Sequence, residues 1–377
     1  MKEIKFNVPL SIDASISNVN KFLRSKEPLH GPGYNIFTIK EELKKLFGFN
    51  NTYLTNSCTS ALEICGLALG LKKNDEVILP SFSFITTASS FARTGCKIRY
   101  VDIEKETLMP SFNDIKKNIT KNTKAIIILH YQGYSINYME KLQKLCKRKK
   151  IFLIEDAAQA FGSFYKNKPL GTFGDFACFS FHETKNIHAG TGGLLVVNNK
   201  KFINQINFIF DKGTNRNLMI SKKIKYYTWV TIGSAFLMSE FSASYLLPQI
   251  KNYKRIVHKR ALLYNNYVKN LKHLNNKEIF LTNNHKYKYN FHAFVIILKN
   301  TIREKFLKYL KKNKINAVIS YTPLHRSKFG KKYFINQEKL INTDRYLEKI
   351  VRLPLHNDLT LKSTNYISNK IKEYFKN

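Results

Sequence analysis

Acidic residues are scarce in this chain: 26 Asp and Glu stand against 63 Lys and Arg, a formal net charge of +37 over 377 residues. Tryptophan occurs once, and the five cysteines (Cys58, Cys65, Cys96, Cys146 and Cys178) form no CxxC pair. An odd number without paired spacing argues against both a disulfide framework and a zinc site, so buried thiols in a reducing compartment are expected, and no metal. No apolar run reaches the roughly 18–20 residues that a membrane span requires. The opening MKEIKFNVPLSID has neither the long apolar stretch nor the small-residue cleavage site of a secretory signal. These absences lead to the expectation of a soluble, cytoplasmic protein without membrane contact.

The missing acid leaves a basic surplus that would suit nucleic acid. The lysines and arginines are spread along the whole chain, however, and no nucleic-acid motif accompanies them. Ile, Asn, Tyr and Phe, mostly encoded by A/T-rich codons, are also abundant. A solvated basic surface produced by mutational bias explains both excesses, and no nucleic-acid partner is expected. The competing class is a basic nucleic-acid-binding relative without catalysis. Salt-dependent retention on DNA separates the two, because phosphate contacts release counterions.

With 44% hydrophobic residues the chain can bury a substantial core. Seven short apolar runs read as strands: 51–55, 76–80, 97–101, 124–130, 151–155, 176–181 and 193–197. Several are continuously apolar, as strands buried on both faces are. Helical patterns fit between them, for instance over 59–70 and 137–150, so an α/β fold with a mostly parallel, helix-covered sheet is predicted. A helical stretch over 239–275 carries Pro248 as its expected break. Beyond it, strands over 289–299 and 315–321, a helix over 301–313 and a terminal helix suggest a smaller α+β domain. The resulting division is 1–254, an N-terminal segment with the large domain, and 255–377, the small C-terminal domain.

Three features fall at the C-terminal ends of predicted strands, the edge where open α/β sheets bind ligands. SCTSAL (57–62) joins a strand to a helix, and the free N–H groups of that helix start can receive a phosphate. EDAAQ (155–159) follows a buried strand, so Asp156 needs a partner, which a cationic ring nitrogen could provide. FSFHETKN (179–186) places Lys185 between an apolar strand and the turn GTGG, where partial burial can lower its pKa and allow a Schiff base. Singly, each has a plain structural reading: a helix cap, a carboxylate paired with a lysine, an exposed loop lysine. Together they supply the lysine, the ring-nitrogen carboxylate and the phosphate cradle that a pyridoxal 5'-phosphate (PLP) enzyme needs.

The run EDAAQAFGSFYKNKPLGTFGDFACFSFHETKN closely resembles the DegT-type sugar-nucleotide aminotransferases, and the likeness extends from FNVPL (6–10) to RLPL (352–355). That resemblance implies a fold-type I PLP-dependent transferase with a seven-stranded mixed sheet and a smaller C-terminal α+β domain. It implies Lys185 as Schiff-base anchor and proton shuttle, and Asp156 as holder of the protonated ring nitrogen. It further implies Phe84 stacked on the ring, Gln159 beside it, and Thr59, Ser60 and Ser180 around the phosphate. Composition alone leaves Phe82 and Phe84 equally eligible for the stacking position.

LTNSCTSALE, LPSFSF, HYQGY, HETKN, KGTNR, KYYTW and YTPLH resemble the branch of enterobacterial common antigen synthesis. It converts dTDP-4-dehydro-6-deoxy-D-glucose to dTDP-4-amino-4,6-dideoxy-D-galactose with glutamate as donor. Arg216, Tyr321 and His325 lie in the matching segments as candidate binders of that substrate. A transaminase for another nucleotide keto-sugar is the alternative within the family; its dehydratases usually carry histidine in place of the lysine. Two departures stand out. Ala235 occupies the place of an Asn that in relatives reaches the partner's phosphate, and Thr191 replaces the acid of the usual GEGG. The resemblance also implies a homodimer with shared active sites.

Overall fold

A computed structural model describes residues 3–282, 286–333, 335 and 339–376. All seven predicted strands of the large domain form, within one residue of their expected ends: β1 Thr52–Thr55, β2 Glu76–Pro80, β3 Lys97–Val101, β4 Thr123–Leu129, β5 Phe152–Asp156, β6 Phe176–Ser180 and β7 Gly193–Val197. They make one sheet in the order β1-β7-β6-β5-β4-β2-β3. β3, β2, β4, β5 and β6 run parallel, and β7 is antiparallel to both of its neighbours. The apolar runs are continuous because both faces are buried: Ile78, Ile126, Leu153 and Phe179 enter one core, while Val77, Leu79, Ile127, Ile154 and Cys178 enter the other. The fold is that of fold-type I PLP enzymes, as the resemblance implied.

Three helices flank the start of the sheet. α1 (Asp13–Arg24) and α2 (Tyr34–Phe47) pack on α5 (Glu240–Lys251). α3 (Cys58–Ala68) begins where Ser57 caps it, with Ser57 Oγ accepting from the Ser60 N–H at 3.1 Å. α2 has no cap from its own residues; Glu240 serves instead. Its carboxylate is buried and accepts from the N–H groups of Gly33 (2.7 Å), Asn35 (3.0 Å) and Ile36 (2.9 Å), and from Asn35 Nδ2 (3.0 Å). An anion at a helix N-terminus satisfies both the orphan donors and the macrodipole. Glu240→Gln forfeits the charge and half of the acceptor capacity. It should lower the chemical-denaturation midpoint of the apoprotein, with a stability loss of about 2–3 kcal/mol.

The helical stretch over 239–275 is two helices, α5 and α6 (Tyr253–Leu271), and the break falls at Asn252 rather than at Pro248. Pro248 is tolerated inside α5 because the carbonyl it leaves without a donor, that of Ser244, accepts from Asn18 Nδ2 at 2.7 Å. The small sheet has the order β8 (Ile279–Leu281), β9 (Phe294–Leu298), β11 (Ile350–Leu353), β10 (Val318–Ile319), and α7 (Leu361–Tyr374) packs beside α6. The strand expected over 315–321 is divided: Ile315 bridges to Ile4, and only Val318–Ile319 joins the sheet. Ile4 thereby belongs to the core of the small sheet. We propose the division 1–254 and 255–377 on this architecture, with α6 beginning at the boundary and the first residues crossing back over it.

Candidate active site

The ends of five strands meet one cavity of about 370 Å³, within the range of ligand sites. β5 ends in Asp156, β6 in Ser180, and β1 leads through Ser57 into α3. β2 leads to α4 (Ile85–Ala92), preceded by Phe84, while β7 starts at Gly193 on the same edge. Lys185 follows β6 in a loop folded back onto it, with Glu183 N–H donating to the Gly190 carbonyl at 2.8 Å and Ala189 N–H to that of Phe181 at 2.9 Å. The neighbour of Lys185, Asn186, is pinned by its side chain to the Asn290 carbonyl (2.6 Å) and to the His292 ring (3.1 Å). Its other end is held by His188, which bonds the Leu10 carbonyl at 2.8 Å and is clamped by Gln249.

Lys185, Asp156, Thr59, Phe84, Gln159, Ser180 and Tyr321 all line this cavity. Burial presses the Lys185 amine down from its usual 10.5 to about 8; Arg352 acts in the same direction, Cys58 and Asp156 against it. The neutral amine is the nucleophile, so apoprotein should capture PLP with a rate rising about tenfold per pH unit below 8 and levelling above it. Stopped-flow absorbance across pH 6–10 checks this.

Asp156 is buried, accepting from Thr87 Oγ1 at 2.7 Å and the Ala158 N–H at 3.2 Å. Burial raises its pKa, against the pull of these donors and of Lys185. A carboxylate so placed is stabilised as an anion by a cation brought against it, which is what a protonated pyridine nitrogen provides. The preceding Glu155 has the opposite balance. Burial alone would raise its pKa, but His130 and the N–H groups of Gly174 and Gly171 turn the net shift downward. Its bonds to His130 (3.0 Å), Gly171 (2.8 Å), Phe173 (2.7 Å) and Gly174 (2.8 Å) lock β5 in place.

Of the two aromatics that composition leaves open, Phe82 is 1% exposed and packs among Tyr131 and Tyr321, whereas Phe84 is 54% exposed and borders the cavity. Gln159 is fixed from both ends: its Oε1 accepts from the Gln132 N–H at 2.7 Å and its Nε2 donates to the Tyr321 hydroxyl. At the start of α3, the first-turn N–H groups have no helical carbonyl to bond. Gly193 lets β7 pass that turn, since a Cβ there would fall 2.4 Å from the Ser57 carbonyl carbon and 2.5 Å from the Cys58 nitrogen. Buried acid, lowered lysine, open aromatic face and a helix N-terminus free of side-chain bulk fit PLP.

Three expected residues do not line the cavity. Ser60 points its hydroxyl at Asn56 and Ser57, and its N–H is taken by the Ser57 cap. His325 bonds Ser81 Oγ at 2.6 Å and Asp344 at 3.1 Å, tying its loop to the end of β2. Arg216 lies 3.8 Å from Asp211 and borders a second cavity with Gly33, Tyr34 and Glu240. Thr191, the replacement in GTGG, lines the first cavity and donates to the Asn56 carbonyl at 3.2 Å, while Ala235 offers its carbonyl to Asn56 Nδ2. Thr87, His292 and Arg352 were not foreseen. Each reaches the site only through tertiary packing.

The DegT/DnrJ/EryC1/StrS aminotransferase family model matches residues 11–372. GDP-perosamine synthase of Escherichia coli O157:H7 is 31% identical over 84% of this chain and 84% of its own. UDP-4-amino-4,6-dideoxy-N-acetyl-beta-L-altrosamine transaminase of Campylobacter jejuni is 25% identical over 92% of this chain and 91% of its own. Among solved structures, the Helicobacter pylori aminotransferase involved in the biosynthesis of pseudoaminic acid superposes with a TM-score of 0.91 at 25% identity, over 100% of both chains. The chain belongs to the DegT/DnrJ/EryC1/StrS aminotransferase family and is a PLP-dependent enzyme.

Proposed function

We propose that the enzyme moves the amino group of glutamate to C4 of dTDP-4-dehydro-6-deoxy-D-glucose, giving dTDP-4-amino-4,6-dideoxy-D-galactose. The observation that carries the transamination is the convergence of Lys185 and Asp156 on one cavity. PLP, when bound, supplies an aldehyde carbon and a cationic ring that takes up the electron pair released at the substrate carbon. Lys185 Nζ takes the proton from that carbon and returns it. With PLP bound, the Asp156 carboxylate would keep the ring nitrogen protonated, and Phe84 and Gln159, the latter held by Gln132 and Tyr321, would help hold the ring. The free N–H groups at the start of α3, beside Thr59 and Ser180, receive the phosphate.

The dTDP sugar is supported by HETKN and KGTNR. A second reading, another nucleotide keto-sugar, is favoured by the GDP- and UDP-sugars in the names of the two relatives. The name of the Campylobacter relative also carries a 4-amino-4,6-dideoxy sugar, in keeping with a C4 amine. A homodimer with shared sites is part of the proposal. Tyr34, Tyr226, Trp229 and Ile232 are all at least 70% exposed, large side chains that a partner subunit would cover. In such a dimer Arg216 can serve the partner's site rather than its own. We place the enzyme in the cytoplasm; among the described residues no helix is long and apolar enough to cross a membrane.

Purified holoenzyme, glutamate and a panel of dTDP-, GDP- and UDP-linked keto-sugars test this, with products identified by mass and NMR. Fastest turnover with the dTDP 4-keto sugar is expected. Preference for a GDP- or UDP-sugar would overturn the nucleotide assignment and leave the transamination standing.

A further inference from the structure

The first described residues form a strap that runs from the small sheet to the large one. At one end the Ile4 N–H donates to the Lys314 carbonyl at 2.8 Å, and the Ile4 carbonyl accepts from the Asn316 N–H at 3.0 Å. The next carbonyl, that of Lys5, accepts from His356 Nε2 at 3.2 Å. At the other end, the Leu10 carbonyl accepts from His188 Nε2 at 2.8 Å and from the Tyr245 hydroxyl at 3.0 Å. Between them Pro9 keeps Val8 extended. Held at both ends, the strap carries Phe6 and Asn7 along the wall of the cavity that contains Lys185 and Asp156. The Phe6 ring lies against the Arg352 guanidinium, 5.2 Å from Cζ to the ring centroid.

Asn7 is half-buried, and among the described residues its amide makes no hydrogen bond. The other side-chain amide in the cavity wall, that of Gln159, is bonded at both ends, to Gln132 and Tyr321. A free amide offers one carbonyl acceptor and two N–H donors. The molecules of the proposed reaction differ in how well they match it. The cofactor's ring nitrogen and phosphate have Asp156 and the start of α3. Glutamate presents charged groups, for which charged partners are the better match. The acceptor sugar presents neutral hydroxyls at C3, beside its ketone, and at C2. Each hydroxyl both donates and accepts, and an amide answers both functions at once. With the ketone carbon brought to Lys185, these hydroxyls fall within the same cavity.

We propose that Asn7 is a specificity residue for the acceptor, hydrogen-bonding a hydroxyl at C2 or C3 of the keto-sugar; this rests on the sugar-nucleotide reading above. A site that bonds a hydroxyl discriminates against the analogue lacking it, because the site's own polar group is then left unpaired. The choice of sugar is thereby placed on the strap, away from the strand ends that carry the chemistry. Asn7 takes no part in holding the cofactor or the amino donor.

The test compares wild-type holoenzyme with Asn7→Ala and Asn7→Ser. Calorimetry measures binding of two unreactive ligands: dTDP-6-deoxy-D-glucose, with a hydroxyl in place of the ketone, and dTDP, which has no sugar. Asn7→Ala should bind the sugar nucleotide about five- to tenfold more weakly, the scale of one or two neutral hydrogen bonds. Asn7→Ser should fall between it and wild type. dTDP and PLP should bind all three proteins within about twofold of one another. The acceptor KM should rise by the same factor as the sugar affinity falls, with kcat and the glutamate half-reaction within about twofold. The 2-deoxy and 3-deoxy forms of the ligand locate the contact: the form lacking the hydroxyl that Asn7 meets should bind wild type and Asn7→Ala alike. Equal weakening of dTDP, looser PLP, or the same loss with both deoxy forms as with the parent sugar would overturn the assignment. If wild type bound only GDP- or UDP-sugars, the nucleotide assignment would fall, and the same comparison in that series decides on Asn7. If wild type aminated no nucleotide keto-sugar, the sugar-nucleotide reading itself would fall, and the role of Asn7 with it.

Discussion

Lys185→Met is expected to lower transamination by about 10⁴-fold or more, because it removes both the nucleophile that anchors the cofactor and the base that moves the proton. The variant should still fold, and its stability carries a signature of its own. In the folded apoprotein burial brings the Lys185 pKa to about 8 from the usual 10.5. Between those two values the unfolded chain binds more protons than the folded one, so stability rises with pH through that window. The burial cost is therefore zero above pH 10.5, grows as pH falls toward 8, and is constant below 8. Apo Lys185→Met should accordingly be more stable than wild type at pH 7, with the gap closing as pH rises toward 10.5. Chemical denaturation at several pH values measures the gap, while a methylamine supplement should restore a little of the lost turnover. A variant less stable than wild type at every pH would show that the methylene stem, rather than the amine, sets the fit at this position.

Asp156→Asn should slow transamination at least about a hundredfold, close to 2.7 kcal/mol of transition-state stabilisation. The amide preserves shape but no longer favours the protonated ring nitrogen, so the electron sink is weakened. Thr87 Oγ1 and the Ala158 N–H are donors to the carboxylate, and the amide oxygen can keep only one of them. Because burial already penalises the charge of Asp156, the neutral variant should hold its fold in the absence of cofactor. Kinetics at saturating PLP, with apoprotein denaturation alongside, separate the two effects. Turnover near that of wild type would remove Asp156 from the proposed role.

The large sheet was legible because its strands are buried on both faces: a run such as Ile126–Ile128 has no polar alternation to confuse it with a surface strand. β11 escaped detection because Ile350–Leu353 is short and interrupted by Arg352. α2 has the apolar spacing of a helix in Ile36, Ile39, Leu43 and Phe47, yet its N-terminus is satisfied by Glu240 from more than 200 positions away, and no local reading finds that partner. The break in the 239–275 helix was misplaced for a similar reason, since the donor that relieves Pro248 is Asn18. Within the site, residues at strand ends were readable from sequence: Asp156, Ser180 and, just beyond β6, Lys185. That Phe84 borders the cavity and Phe82 does not is a difference of exposure, which composition does not reveal. Thr87, His292 and Arg352 come from other elements and carry no local signal. Arg216 and His325 came from likeness of segment alone, and the fold engages them elsewhere, with Asp211 and with Ser81 and Asp344.

The covalent position of the cofactor bears most directly on the central claim that Lys185 and Asp156 form the working pair. Holoenzyme reduced with borohydride, digested and sequenced by mass spectrometry should carry the pyridoxyl group on the peptide containing Lys185, and Lys185→Met treated alike should carry none. A pyridoxyl group on any other lysine of the wild-type chain would contradict it.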